Sequence, residues 1–385
     1  MTNLAAVAAF SLSDWLPADG SLMPALSHLL PDAVAIFGRK STFDPHPSDL
    51  DLLAFGPAAE LLVERRRPDA DASPALDIIW LPAAWLNEPE RLARYGLITH
   101  RLLSSDLLWA ANAQPRTMQA TVQHLFAEPD SRQARLTGFF DLAYLTVREI
   151  GVTWDYPPLA LFWLQMAWAA CLAALADGAG QLCPNLYTRP WPYMRVLGLP
   201  GSPLLEPEWT AAFHLDDDVP ALIVLLRQVC VIVRRLCAEP VWPEVIRPGT
   251  RAEYRYWLDS AETEERIRVA SDLAMQGDIA GAVWYLRFCA YSLARLPLVR
   301  QHALEGTPTA FGRPARAMRP ALEQTCPEIV PIIGRILGGA TPPTLDNLSH
   351  TLARLESLRR YAESRLAQAG FDLTHCPPWR PYLRP

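Results

Sequence analysis

The chain has 385 residues, half of them hydrophobic, and a formal net charge of −6. That length is too great for one ordinary core and predicts two domains. The acidic balance argues against generic nucleic-acid binding, because phosphate neutralisation supplies most non-specific affinity, although it leaves room for a local basic groove.

Taken in chain order, Leu22 to Leu30 has the pattern of a short amphipathic helix stopped by Pro31. Ala33 to Phe37 is an apolar run bounded by a turn, the signature of a buried strand. Gly38 to Ser48, with Pro45 and Pro47, is expected to be a loop. Asp49 to Phe55 is a second strand, ended by Gly56-Pro57. Pro57 is placed to start a helix over Ala58 to Arg67, which Pro68 ends. A third strand spans Ala75 to Leu81, and a short helix around Glu88 to Tyr95 stops at Gly96.

From about Pro115 the strand signals nearly vanish. Helices are expected over Arg135 to Ile150, Leu159 to Ala176, Val219 to Cys237, Glu253 to Gln276, Ile279 to Leu296 and Leu345 to Ala369. The chain therefore divides into an α+β domain over residues 1–114, a small mixed sheet with helices, and a large all-α helical domain over 115–385. Pro158 to Ala176 is almost uninterrupted apolar sequence of nearly membrane-spanning length. It contains Gln165 and lacks a flanking basic cluster, so a helix buried all round inside the helical domain is the favoured reading. The seven cysteines include no close C-x-x-C pair and are expected to be small buried hydrophobes of a reducing, cytoplasmic compartment. The first ten residues lack the basic region of a signal peptide.

Chemistry concentrates near the N-terminus. Residues two apart in a strand face the same side, so Asp49 and Asp51 project together, with Leu50 and Leu52 turned to the core. Paired carboxylates suit a hard cation held by oxygen ligands, typically Mg²⁺. Asp77, inside the third strand, is able to point at the same place, and three carboxylates suit a two-metal mechanism. A turn at Gly38 would let backbone N–H groups approach a phosphate. Arg39 and Lys40, the only lysine in the chain, would add charge, and Ser41 a hydroxyl.

These residues resemble the nucleotidyltransferase superfamily with the DNA polymerase β-like fold. Its pattern is an apolar residue, Gly, then Gly or Ser, a loop, and Asp-apolar-Asp/Glu-apolar, with a third carboxylate on a later strand. Phe37-Gly38, Asp49-Leu50-Asp51-Leu52 and Leu76-Asp77-Ile78 match it. The order strand, loop, strand, helix, strand is similar to minimal bacterial nucleotidyltransferases, and the appended helical part to antibiotic adenylyltransferases. The resemblance covers about the first third of the chain. It implies Mg²⁺-dependent transfer of a nucleoside monophosphate from an NTP, ATP by preference, to a hydroxyl-bearing small molecule. Asp49 and Asp51 would bind metal. Asp77 would bind a second metal or accept the substrate proton, and Gly38, Lys40 and Ser41 would position the triphosphate. Arg39 stands where the family has Gly or Ser. Either Ser41 or Lys40 substitutes, Arg39 itself contacts phosphate, or the site is degenerate and the fold serves as a binding scaffold. An RNA- or protein-modifying transferase of the toxin type is the nearest rival.

Other features are more economically structural. Asp216-Asp217-Asp218 is a candidate metal site, but Asp218 is better placed to cap the helix that follows. Glu64 to Arg67 is expected to be a solvated helix end rather than a nucleic-acid contact, and His46 a plain loop residue rather than a proton shuttle. Tyr187, Trp191 and Tyr193, with Arg189 and Arg195, either line an acceptor pocket or pack on the helical domain. Trp284, Tyr285 and Arg287 follow Gly277-Asp278 and belong mainly to the core, Arg287 with an inward contact.

Overall fold

The protein is seen in a computed structural model, which describes residues 30–39, 49–58, 61–66, 75–150, 153–184, 190–197, 206–237, 248–305 and 315–373. The expected helix over Leu22 to Leu30 lies outside them except for its last residue. The fold is mostly helical, with one small mixed sheet near the N-terminus. It divides into two compact units, Met1–Arg132 and Gln133–Pro385.

The first unit carries strands β1 (Ala35–Arg39), β2 (Asp49–Gly56), β3 (Leu62–Arg66), β4 (Ala75–Pro82) and β5 (Asp106–Ala110), in the spatial order β3-β4-β2-β1-β5. β2 and β4 are parallel; the other pairs are antiparallel. Helices α1 (Pro89–Ala93), α2 (Leu97–Leu103) and α3 (Gln114–Phe126) pack on one another beside the sheet. Both faces of the sheet are apolar. Ala35, Phe37, Leu53, Phe55 and Leu81 form one cluster with Trp85, Leu92, Ile98, Leu102, Met118 and Val122 from the helical layer. Ile36, Leu52, Ala54, Leu76, Ile78, Trp80 and Leu108 form a second cluster with Leu30. A sheet buried on both faces is written as continuous apolar runs rather than strict alternation, as in Leu52-Leu53-Ala54-Phe55.

Two expectations need correction here. Residues 62–66 form strand β3, antiparallel to β4, where a helix over Ala58 to Arg67 was expected. The intervening element is thus a strand, and the order strand, loop, strand, helix, strand does not hold. Leu52 does turn to a core, but that core is one of two. Gly38 and Arg39 belong to β1 and not to a turn.

The second unit is helical: α4 (Pro129–Ile150), α5 (Pro157–Gly178), α6 (Trp191–Leu197), α7 (Glu206–Ala212), α8 (Val219–Leu236), α9 (Pro248–Leu258), α10 (Ser260–Met275), α11 (Ile279–Ala294), α12 (Leu296–Glu305), α13 (Ala315–Thr325), α14 (Ile329–Gly338) and α15 (Leu345–Gln368). α5 packs against α14 and α15, and α11 against α8, α10 and α14. By length and composition α5 is able to cross a membrane, yet 83% of its most apolar window is buried inside the fold. Trp168 on α5 sits within 5.0–5.7 Å of Trp191, Trp209, Phe213 and Trp284, ring centroid to centroid. Between α4 and α5 the Arg135 guanidinium donates to both oxygens of Asp177, at 2.6 and 3.0 Å, with both side chains fully buried. The helix expected over Glu253 to Gln276 is broken at Asp259 into α9 and α10.

Candidate functional site

The parallel pairing of β2 with β4 sets Asp51 directly beside Asp77, and Asp49 beside Ala75. Neighbouring strands lie about 4.8 Å apart and register partners share a face. Asp51 and Asp77 are therefore adjacent carboxylates, and both are half-buried. Further along this face come Leu53 and Ile79, which join the core beneath the helices. The two carboxylates stand at the rim where that core ends. Asp49, two residues back on β2, occupies the same face by alternation. On the other side of Asp51 the register partner is Arg39. Asp77, Asp51 and Arg39 thus form one row across three strands.

Asp51, Leu53 and Ile79 also line a small cavity closed by Arg101 of α2 and by Ser105 just after it. Its volume is about 10 Å³, enough for one water or one ion. A larger ligand has to lie over the rim. The end of α2 is tied down firmly. Ser105 Oγ donates to the Arg101 carbonyl at 2.7 Å. Gln119 of α3 donates to the carbonyls of Leu102 and Ser105, at 3.0 and 2.8 Å. At this helix end they add to the Ser105 N–H bond on the Leu102 carbonyl and the Ser104 Oγ bond on the Arg101 carbonyl. No local signal in the sequence marks Arg101 or Ser105; their place depends on how α2 docks on the sheet.

Gly38 has a structural explanation. It pairs with Leu52 on one side and Asp106 on the other, in ordinary extended backbone. A Cβ at this position would collide with the Leu108 side chain and lie 3.3 Å from Leu52 Cδ2. Glycine therefore spares the second cluster a side-chain shift at Leu108, in strand rather than turn backbone. Lys40, Ser41 and His46 lie outside the described residues.

Two adjacent carboxylates fit a hard divalent cation in ligand type. Among the described residues no group of three or more His, Cys, Asp or Glu is assembled for a metal. The third acid of the expected set, Asp49, is placed by its backbone alone.

The other acidic candidate is structural. Asp218 caps α8, accepting from the Ala221 N–H at 3.2 Å. Asp217 accepts from both terminal nitrogens of Arg335. Burial pushes the Asp217 carboxyl up, but the Arg335 hydrogen bonds and the nearby Arg287 charge outweigh it and hold the carboxyl below the usual range. Arg287 itself is fully buried and donates to the carbonyls of Phe213, His214 and Ile336. Its inward contact thus joins the ends of α7 and α14. Trp191 and Tyr193 are buried, Trp191 packing on Trp168 and Trp284. Tyr187 and Arg189 lie outside the described residues. The six described cysteines are buried, and none forms a disulfide with another described residue. Compared with protein-family models and with curated proteins, the chain matches none.

Proposed function

We propose that the N-terminal unit is a nucleotidyltransferase of the DNA polymerase β-like type, transferring a nucleoside monophosphate from an NTP to a hydroxyl of a small-molecule acceptor. The observation that carries this reading is the register pairing of Asp51 with Asp77 on adjacent parallel strands, beside the apolar cluster under the helices. In the reaction the acceptor oxygen bonds to the α-phosphorus and the α–β bridging bond breaks. Pyrophosphate leaves, and the hydroxyl proton passes to Asp77 or, where Asp77 holds the metal, to solvent. A divalent cation held by Asp51 and Asp77, with Asp49 completing the set, would neutralise charge developing on the leaving group. The protein's share is positioning and charge stabilisation.

A second reading, a nucleotidyltransferase-like scaffold without turnover, is favoured by Gly38, whose packing role leaves no need for a phosphate-binding turn there. One experiment separates the two. Melting temperature is measured with each of the four NTPs, with and without Mg²⁺, on the natural chain and on Asp49→Asn/Asp51→Asn. Binding to the native state alone stabilises by about 2.7 kcal/mol at a ligand concentration of 100 Kd. A metal-dependent rise lost in the double variant, with turnover lost in each single variant, supports the transferase. Turnover retained in Asp51→Asn refutes it, and nucleotide binding without turnover supports the scaffold.

A further inference from the structure

We propose that Arg101 binds the terminal phosphates of the nucleotide, gripping the group that leaves as pyrophosphate. The inference rests on the transferase reading above and names a residue that its motif does not contain. Arg101 belongs to the first unit and sits on α2, the helix whose end is tied by Ser105 and Gln119. It lines the same cavity as Asp51. Its side chain is half-buried, and among the described residues its guanidinium has no hydrogen-bond or ion-pair partner.

That combination is chemically uneven. A guanidinium carries five donors in a fixed fork and never loses its charge, so partial burial without an acceptor is costly. Asp51 lines the same small cavity, yet the two make no ion pair. Other described arginines with half-buried side chains find acceptors: Arg335 on Asp217, Arg266 on Glu262, Arg359 on Glu363. A helix end braced by three side-chain bonds holds Arg101 at the rim, beside carboxylates suited to a cation. A triphosphate lying over that rim offers the missing acceptors. Phosphate oxygens match the guanidinium fork in a bidentate manner, which a compact ammonium does not. The carboxylates then face the cation and Arg101 faces the phosphates, so the two charges serve one ligand without neutralising each other.

The test is titration of the natural chain, Arg101→Gln and Arg101→Lys with ATP and with AMP, both with Mg²⁺, followed by melting temperature. Loss of a charged hydrogen-bond pair predicts a Kd for ATP weakened roughly ten- to a hundredfold in Arg101→Gln. The Kd for AMP should stay unchanged, since AMP lacks the phosphates in question. Arg101→Lys keeps the charge but loses the fork, so ATP should weaken about severalfold; this variant also stands in should the glutamine variant fail to fold. If the natural chain binds ATP and both variants bind it equally well, this inference is overturned and the transferase reading survives. A fall in the ligand-free melting temperature with unchanged ATP affinity also overturns it, because Arg101 would then be an internal counter-charge. If no NTP binds the natural chain, the transferase reading falls and this inference with it.

Discussion

Gly38 offers a direct way to ask whether the glycine of the candidate motif serves packing or ligand approach. In Gly38→Ala the new methyl group enters the second cluster, where it collides with Leu108 and lies 3.1 Å from Leu108 Cγ and 3.3 Å from Leu52 Cδ2. Both leucines are buried, at 5% and 2% exposure, so the Leu108 side chain has to shift within the core. Overpacking of this kind costs about 1–3 kcal/mol. Alanine returns about 0.4–1 kcal/mol by restricting the unfolded chain. The net loss should be about 1–2 kcal/mol. Leu108→Ala alone should cost about 2–5 kcal/mol through the cavity it opens. Combining the two places the alanine methyl in that cavity, so the double variant should be more stable than the sum of the singles by about 1 kcal/mol. The measurement is native-state hydrogen exchange in β1 and β2, which reports the first unit's stability separately from the helical unit. Strict additivity, or a stable Gly38→Ala that loses only nucleotide binding, would refute the packing argument and restore the phosphate-approach role.

Three further outcomes follow from the helical unit and are read by chemical denaturation. Asp177→Ala leaves the fully buried Arg135 guanidinium without its carboxylate and should destabilise by about 3–5 kcal/mol; a loss below 1 kcal/mol would contradict the pairing. Gln165 is buried with neither amide atom bonded to a described residue, so Gln165→Leu should be neutral or stabilising by about 1–3 kcal/mol, and a clear loss of stability would show that the amide has a partner. Asp217 has a folded pKa below its ordinary value of 3.8. Its contribution is therefore full above that value and lost as pH falls through the lower folded pKa. Stability of Asp217→Asn should fall less steeply than that of the natural chain below about pH 4, and parallel curves would exclude the linkage.

Much of the first unit was legible because its central strands are long apolar runs with hard stops. Gly56-Pro57 and Pro82 bound β2 and β4 to within a residue or two. What failed was edge structure. β3 reads Leu62-Val63-Glu64-Arg65-Arg66, five residues in which charge suggests a solvated helix end. An edge strand uses the same charges to discourage pairing with another chain, and five residues are too few for periodicity to decide. β5 was hidden by the shift in its register opposite Ile36 and Phe37, which breaks the alternation a strand would otherwise show. At the break between α9 and α10, Arg234 from a different helix donates its guanidinium to the carbonyls of Leu258 and Asp259. No local pattern carries that information.

The candidate site divides along the same line. Alternation alone put Asp49 and Asp51 on one face, and the apolar flanks of Asp77 put it in a strand. That Asp77 stands beside Asp51 depends on β2 and β4 being parallel neighbours, with β3 outside them. Chain order alone would equally permit β3 in between, which would separate the carboxylates by a further strand, about 4.8 Å. The topology therefore decides whether the acids are able to share a cation. It also decides what Gly38 does, since the methyl it lacks would meet Leu108 from β5, a strand the sequence pattern did not announce. The same glycine can match a motif and answer to packing. Only a perturbation that relieves the packing while leaving the backbone in place, as Gly38→Ala with Leu108→Ala does, separates the two causes.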